Sequence, residues 1–211
     1  WLWGYDITQE TTTHWNSFYS NIDNTNPISY AGGGAFKSIY SLLYAHIAPS
    51  DVRRNLYINR TEAPAIAYRY PQLPDYANLK YVTDTRFLGD YCFLRLEDPL
   101  LLYIEALVER NELPRAQNTL TYFMQNFRDP YYTPTATDQA SMREEVRWQR
   151  RIELWGEGTS FFDFKRWGLG ANRTQTGSNH VYAIDVPAGD RRWVYQIPIS
   201  EIEANPNMVQ N

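Results

Sequence analysis

Residues 98–127 read DPLLLYIEALVERNELPRAQNTLTYFMQNF, and this stretch decides the fold class. Asp98 is a good N-cap residue, and Pro99 suits the first helical position, where its missing N–H costs nothing. The spacing predicts a helix to about Asn111, with Leu102, Ala106 and Leu107 close together on one face. Pro114 opens a second helix, predicted to run to about Phe127. Its inward face is Ala116, Leu120 and Phe123, with Met124 or Phe127. Asn111 to Leu113 is too short a joint for anything but an antiparallel hairpin.

The hairpin resembles one tetratricopeptide-type unit. No second copy follows at a 34-residue period, so it does not form an array. Ser141 to Glu144 offers a capping box for a third helix to about Trp155, where Gly156 and Gly158 interrupt it. A short helix from Thr159 to Trp167 ends at Gly168. Upstream, residues 35–47 fit a short helix with Phe36, Ile39, Tyr40, Leu43 and Ile47 on one side. Short strands are predicted at 1–7, 56–58, 79–82, 181–186 and 193–197, and a single helical turn near Pro206. The expected fold is mainly α: a helical hairpin plus long loops and small β pieces. No linker divides residues 1–211, so no internal domain boundary is expected.

The 211 residues are 43% hydrophobic and 21% charged, within the globular range. The longest aliphatic run is Leu100-Leu101-Leu102, far short of the ~20 residues a membrane helix needs. A net charge of −4 supplies no field for phosphate backbones, which argues against a nucleic-acid partner. The basic residues are 17 Arg and only 3 Lys, a bias that suits forked, partly buried carboxylate pairs. Cys92 is the single cysteine, so no intrachain disulfide forms, and its apolar neighbours predict a buried small hydrophobe.

His14, His46 and His180 are isolated in sequence, and no acidic calcium loop is present, so no metal or cofactor is expected. There is no nucleophile elbow and no phosphate loop, and no catalytic residue is assigned. Glu153, Glu157 and Asp163 lie among arginines, where ion pairing and capping explain them more simply than acid–base work.

The aromatic content is the strongest deviation: 16% of the chain, much of it in polar loops. A pyranose has a C–H-rich face that stacks on an indole or phenol, while its hydroxyls need short polar partners. Residues 14–19 (HWNSFY), with Tyr30 further on, supply both kinds of group. Trp15 and Tyr19 are the expected ligand platforms, with His14 or Asn16 as polar contacts and Tyr30 as a further ring.

Three stretches resemble motifs of the SusD/RagB family of outer-membrane nutrient-binding lipoproteins. YCFLRLEDPLLLYIEA (91–106) is similar to a family helix, with Arg95, Leu96, Leu101, Glu105 and Ala106 in register. RRIELWGEGTSFFDFKRWG (150–168) resembles a second motif through Arg150, Glu153, Leu154, Glu157, Gly158, Asp163, Arg166, Trp167 and Gly168. YQIPISEIEANPNMVQN (195–211) resembles the closing motif, and Asp51 to Arg54 matches a short D-x-R-R element. The four occur in family order. Gln149 replaces a usual Glu, Ser160 a usual Arg and Gln196 a usual Pro, and Pro99 enters the first helix.

The resemblance implies a SusD-like fold and places this chain as the C-terminal portion of a longer protein whose N-terminal half is absent here. It implies an outward-facing outer-membrane location, with the membrane reached only through a lipid anchor outside this chain. It further implies binding of oligosaccharide or polysaccharide and delivery to a SusC-like TonB-dependent transporter, with no chemical step. Two alternatives stay open. One is RagB-like peptide binding. The other, from a different class, is a glycoside hydrolase fragment using Glu153, Glu157 and Asp163.

Overall fold

The computed structural model describes residues 2–210; Trp1, expected in the first strand, and Asn211, expected in the closing motif, lie outside them. Helix dominates, and strands among the described residues are confined to two small antiparallel pairs. The chain divides after Gly158 into two compact units, although no linker marks the point in the sequence. In chain order the first unit holds β1 (Trp3–Tyr5), α1 (Phe18–Ile22), α2 (Ser41–Tyr44), α3 (Pro64–Arg69), β2 (Tyr91–Leu94), α4 (Glu97–Glu109), α5 (Leu113–Phe127) and α6 (Gln139–Glu153). The second holds α7 (Ser160–Arg166), β3 (Ala171–Asn172), β4 (Asp185–Val186) and α8 (Ile199–Ala204).

The predicted hairpin is α4–α5. Asn111 adopts a left-handed φ of 59° between the helices, a conformation Asn tolerates. Its N–H reaches the Val108 carbonyl at 2.9 Å and that of Glu112 reaches Leu107 at 2.8 Å, so the last orphan carbonyls of α4 are satisfied. The buried stripe of α4 is Leu101, Ile104, Leu107 and Val108; Leu102 is 40% exposed. The apolar run 100–102 fits two adjacent stripes, and packing against α5 and α6 selects the one through Leu101. On α5 the inward residues are Ala116, Leu120, Phe123 and Met124, while Phe127 points outward. Met142 and Val146 of α6 close this core. Each large aliphatic side chain buried there contributes about 1.5–3 kcal/mol.

Helix α6 begins three residues earlier than expected, with Asp138 rather than Ser141 as its N-cap. The capping box is Asp138 with Ser141: the Asp138 carboxylate accepts from the Ser141 N–H at 2.8 Å, and Ser141 Oγ accepts from the Asp138 N–H at 3.1 Å. Asp98 is not a cap either. It lies inside the first turn of α4, and its carboxylate accepts from Arg150 Nη1 at 2.6 Å.

The segment before β2 is less regular than expected. Residues 52–56 form a 3-10 turn capped by Asp51, and the strands expected at 56–58 and 79–82 reduce to an isolated bridge between Tyr57 and Asn78. Backbone bonds still join the two segments, Ile58 N–H to the Ala77 carbonyl at 2.9 Å and Leu79 N–H to that of Leu56 at 2.7 Å, and Asn side chains add to them. Asn24 Nδ2 donates to the carbonyls of Lys37 and Asn78, and Asn78 Nδ2 donates to that of Ile22. Helical structure at 35–47 shrinks to α2, yet Ile39, Leu43 and Ile47 are all buried as expected.

An ion cluster joins these parts. Glu153, at the end of α6, accepts from Arg53 at 3.0 Å, Arg95 at 2.7 Å and Arg128 at 2.8 Å. Gln149, one turn earlier, accepts from Arg53 Nη2 at 2.6 Å. The neutral amide therefore keeps a charge-assisted hydrogen bond where the related motif carries a carboxylate.

In the second unit Phe161 and Phe164 of α7 pack on Trp193 at ring distances of 5.6 and 6.0 Å. The strand expected at 193–197 is absent; a 3-10 turn at 191–193, capped by Asp190, takes its start. No helix among the described residues is long and apolar enough to cross a membrane.

Candidate functional site: an aromatic cleft in the first unit

Strand β2 pairs antiparallel with β1, with Tyr5 opposite Tyr91 and an irregularity between Trp3 and Gly4. Strand periodicity puts Tyr91 and Phe93 on one face. Ser17 caps α1 by accepting from the Ser20 N–H at 3.1 Å, which fixes Phe18 and Tyr19 in its first turn. These rings and Tyr81 meet in a cleft of about 510 Å³, within the usual range for small-ligand sites. Phe18 lies edge-on to Tyr19 at 5.5 Å, to Tyr81 at 5.3 Å and to Tyr91 at 6.0 Å. Phe93, 56% exposed, continues the row and packs on Trp3 at 5.0 Å.

Two glycines admit these rings. A Cβ on Gly89 would come within 2.4 Å of the Tyr19 ring. A Cβ on Gly156 would come within 2.7 Å of the Tyr81 ring, and its φ of +81° is itself a glycine conformation.

Two of the three tyrosine hydroxyls are engaged as donors: Tyr19 to the Asp90 carbonyl at 3.3 Å, and Tyr81 to the Trp155 carbonyl at 3.0 Å. Tyr91 instead accepts, from the Phe18 N–H at 3.1 Å. Burial, aided by the Asp90 charge, pushes the Tyr19 phenol above its ordinary value. Burial pushes Tyr81 up as well, and the Glu157 charge adds to it. These phenols therefore stay protonated near neutral pH.

Four charged side chains also line the cleft: Lys80, Asp90, Arg95 and Glu157. Glu157 accepts from Lys80 Nζ at 2.6 Å and from Arg95 Nη2 at 2.8 Å. Burial lowers the Lys80 pKa, partly offset by the Glu157 charge. Asp90 Oδ1 accepts from the Ile7 N–H at 3.1 Å. Cys92 lines the same cleft and is exposed, against the expectation of burial, because its two-stranded sheet is too narrow to cover it.

The structure separates the residues expected to bind. Tyr19 lies in the cleft. His14, Trp15 and Asn16 form an exposed 3-10 turn, and His14 has a left-handed φ of 48°. Trp15 meets Tyr30 edge-on at 5.4 Å, with Lys37 Nζ 5.4 Å from the Tyr30 ring. Both rings are about half exposed, and neither lines the cleft. Phe18, Tyr91 and Phe93 were not singled out from sequence. The signal was present in the Tyr-x-Phe alternation at 91–93, but those residues read as neighbours of a cysteine.

The acids considered for hydrolysis are held by cations. Burial alone would raise Glu153, but the Arg128 hydrogen bond and the charges of Arg53, Arg128 and Arg95 hold it at about 2, against an ordinary 4.5. A carboxyl at that value carries no proton for a general acid near neutral pH. Asp163 is buried and accepts from Arg166 at 2.9 Å. No group of three His, Cys, Asp or Glu that could hold a metal occurs among the described residues.

Comparison with known proteins places the fold. The chain superposes on a SusD-like carbohydrate binding protein from Bacteroides vulgatus ATCC 8482 with a TM-score of 0.74 at 21% identity, covering 99% of this chain and 48% of that one. It superposes on a second protein of that strain, described as sugar binding, with a TM-score of 0.69 at 19% identity, covering 98% and 44%. It thus spans about half the length of the solved structures it matches. No curated protein sequence matches the chain. The model of the SusD family (SusD_RagB) matches residues 59–211, most of the sequence, and the mainly α fold agrees: the chain belongs to the SusD family.

Proposed function

We propose that this chain binds a glycan nutrient at the cell surface and passes it, chemically unchanged, to a SusC-like TonB-dependent transporter. Family membership and the sugar-binding character given for the two solved relatives support a sugar ligand. The observation that carries the reading in this molecule is the cleft: Phe18, Tyr19, Tyr81, Tyr91 and Phe93 around one volume of about 510 Å³. Rings at an open surface offer flat faces to sugar C–H groups, and the Asp90 carboxylate and Tyr91 hydroxyl sit beside them for hydroxyls. The exposed Trp15–Tyr30 pair, with His14 and Asn16 beside Trp15, is a second candidate platform on the same unit.

The absence of a chemical step is part of the proposal. It is supported by the ion pairing of Glu153, Glu157 and Asp163. The outward-facing outer-membrane location is likewise part of the proposal, and family membership supports it. The test is saturable binding to one or more glycans of a plant, host and microbial panel, without release of new reducing ends. Accumulating reducing ends, abolished by Glu157→Gln, would replace this reading with the hydrolase.

A further inference from the structure

We infer that the cleft selects neutral glycans and rejects acidic ones, such as uronates and sulfated sugars. The inference rests on the glycan-binding reading and names the ligand class for that same cleft. It follows from counting which polar groups in the wall still have hydrogen-bond capacity.

Two cations line the cleft, and an acidic sugar would be expected to seek them. Their donors are engaged. Lys80 has three N–H groups, and they meet the carbonyls of Glu153 and Trp155, each at 2.9 Å, and Glu157 Oε1 at 2.6 Å. Arg95 has five. Nε faces both Glu157 oxygens at 3.0 and 2.9 Å. Nη1 faces Glu153 at 2.7 Å and Glu97 at 3.1 Å. Nη2 faces the Glu153 carbonyl at 2.5 Å and Glu157 at 2.8 Å. Lys80, Arg95 and Glu157 are also less than one-fifth exposed. A ligand carboxylate would have to displace an internal one to gain a partner.

The groups with capacity left have the opposite bias. Asp90 is exposed and, among the described residues, in no ion pair; Oδ1 accepts from the Ile7 N–H, which leaves Oδ2 as an acceptor. The Tyr91 hydroxyl accepts from Phe18 and keeps its own proton to donate. One acceptor and one donor beside aromatic faces match the hydroxyls of a neutral pyranose. A uronate or sulfate meets the Asp90 charge with no cation free to offset it.

The test uses matched pairs: neutral glucans, xylans and mannans, and the polyuronates made from the glucans and mannans by oxidation at C6. Titration followed by calorimetry should give a neutral ligand that binds on the order of tenfold more tightly than its polyuronate. Asp90→Asn keeps an oxygen for the Ile7 N–H, so the loop is preserved, and it should narrow the ratio. Equal or tighter binding of the polyuronate overturns the inference while leaving glycan binding in place. So does a ratio that Asp90→Asn does not move. Binding of no member of either set overturns the glycan reading itself, and this inference with it.

Discussion

Arg95 and Glu157 form a forked pair: Arg95 Nε lies 3.0 and 2.9 Å from the two carboxylate oxygens, and Nη2 lies 2.8 Å from one of them. Arg95 follows β2 directly, and Glu157 lies just beyond α6. The pair therefore ties the strand that carries Tyr91 and Phe93 to the helical core. Planar, two-point recognition fixes direction as well as distance, which a lysine at 95 would not reproduce. We expect Arg95→Lys to loosen β2 and weaken ligand binding without unfolding the helices. A neutral-glycan titration beside far-ultraviolet circular dichroism checks both halves.

Glu153 makes the chain acid-sensitive. Its folded pKa of about 2 lies below the ordinary 4.5, so its contribution is fully present above about pH 4.5 and is lost as pH falls from there through 2. The gap corresponds to roughly 3 kcal/mol. Glu153→Gln should cost about 3–5 kcal/mol at neutral pH, because it removes the buried carboxylate that Arg53, Arg95 and Arg128 share, although Arg53 keeps its pair with Asp51. Urea unfolding at pH 7 and pH 3 should show the wild type losing stability between them and the variant losing much less.

Gly156→Ala should destabilise by about 1–3 kcal/mol through the left-handed backbone alone, with more from the Tyr81 ring. Gly89→Ala has no such backbone penalty but displaces the Tyr19 ring. It should lower glycan affinity while changing the melting temperature little. Equal losses of stability in both variants would show that Gly89 holds the fold rather than the ring.

The helical hairpin was legible because period, caps and a tight joint agree over residues 98–127. The inward face of α5 matches the sequence pattern, whereas of the expected α4 residues Leu107 is buried and Leu102 and Ala106 are exposed. Leu100, Leu101 and Leu102 are all apolar, so periodicity alone does not choose among them. The ordered motifs around Arg95, Arg150 and Glu153 led to the family. The cleft was far less legible: its rings come from residues 18–19, 81 and 91–93, short pieces with no shared period. Loop chemistry points to Tyr19, which lines this candidate cleft. It does not point to Tyr91 and Phe93, because a four-residue strand offers too little alternation to announce a face.

The central claim is that the aromatic cleft holds a glycan. Its most direct test is a titration of a glycan panel against the wild type, Tyr19→Ala, Phe93→Ala and Trp15→Ala, read by retardation gels and calorimetry. Loss of a stacked ring should weaken binding on the order of tenfold. The account predicts that loss in Tyr19→Ala and in Phe93→Ala, with Trp15→Ala reporting whether the exposed Trp15–Tyr30 pair contributes a second contact. Full affinity in both cleft variants, with binding abolished by Trp15→Ala, would contradict the claim and move the site to the first loop.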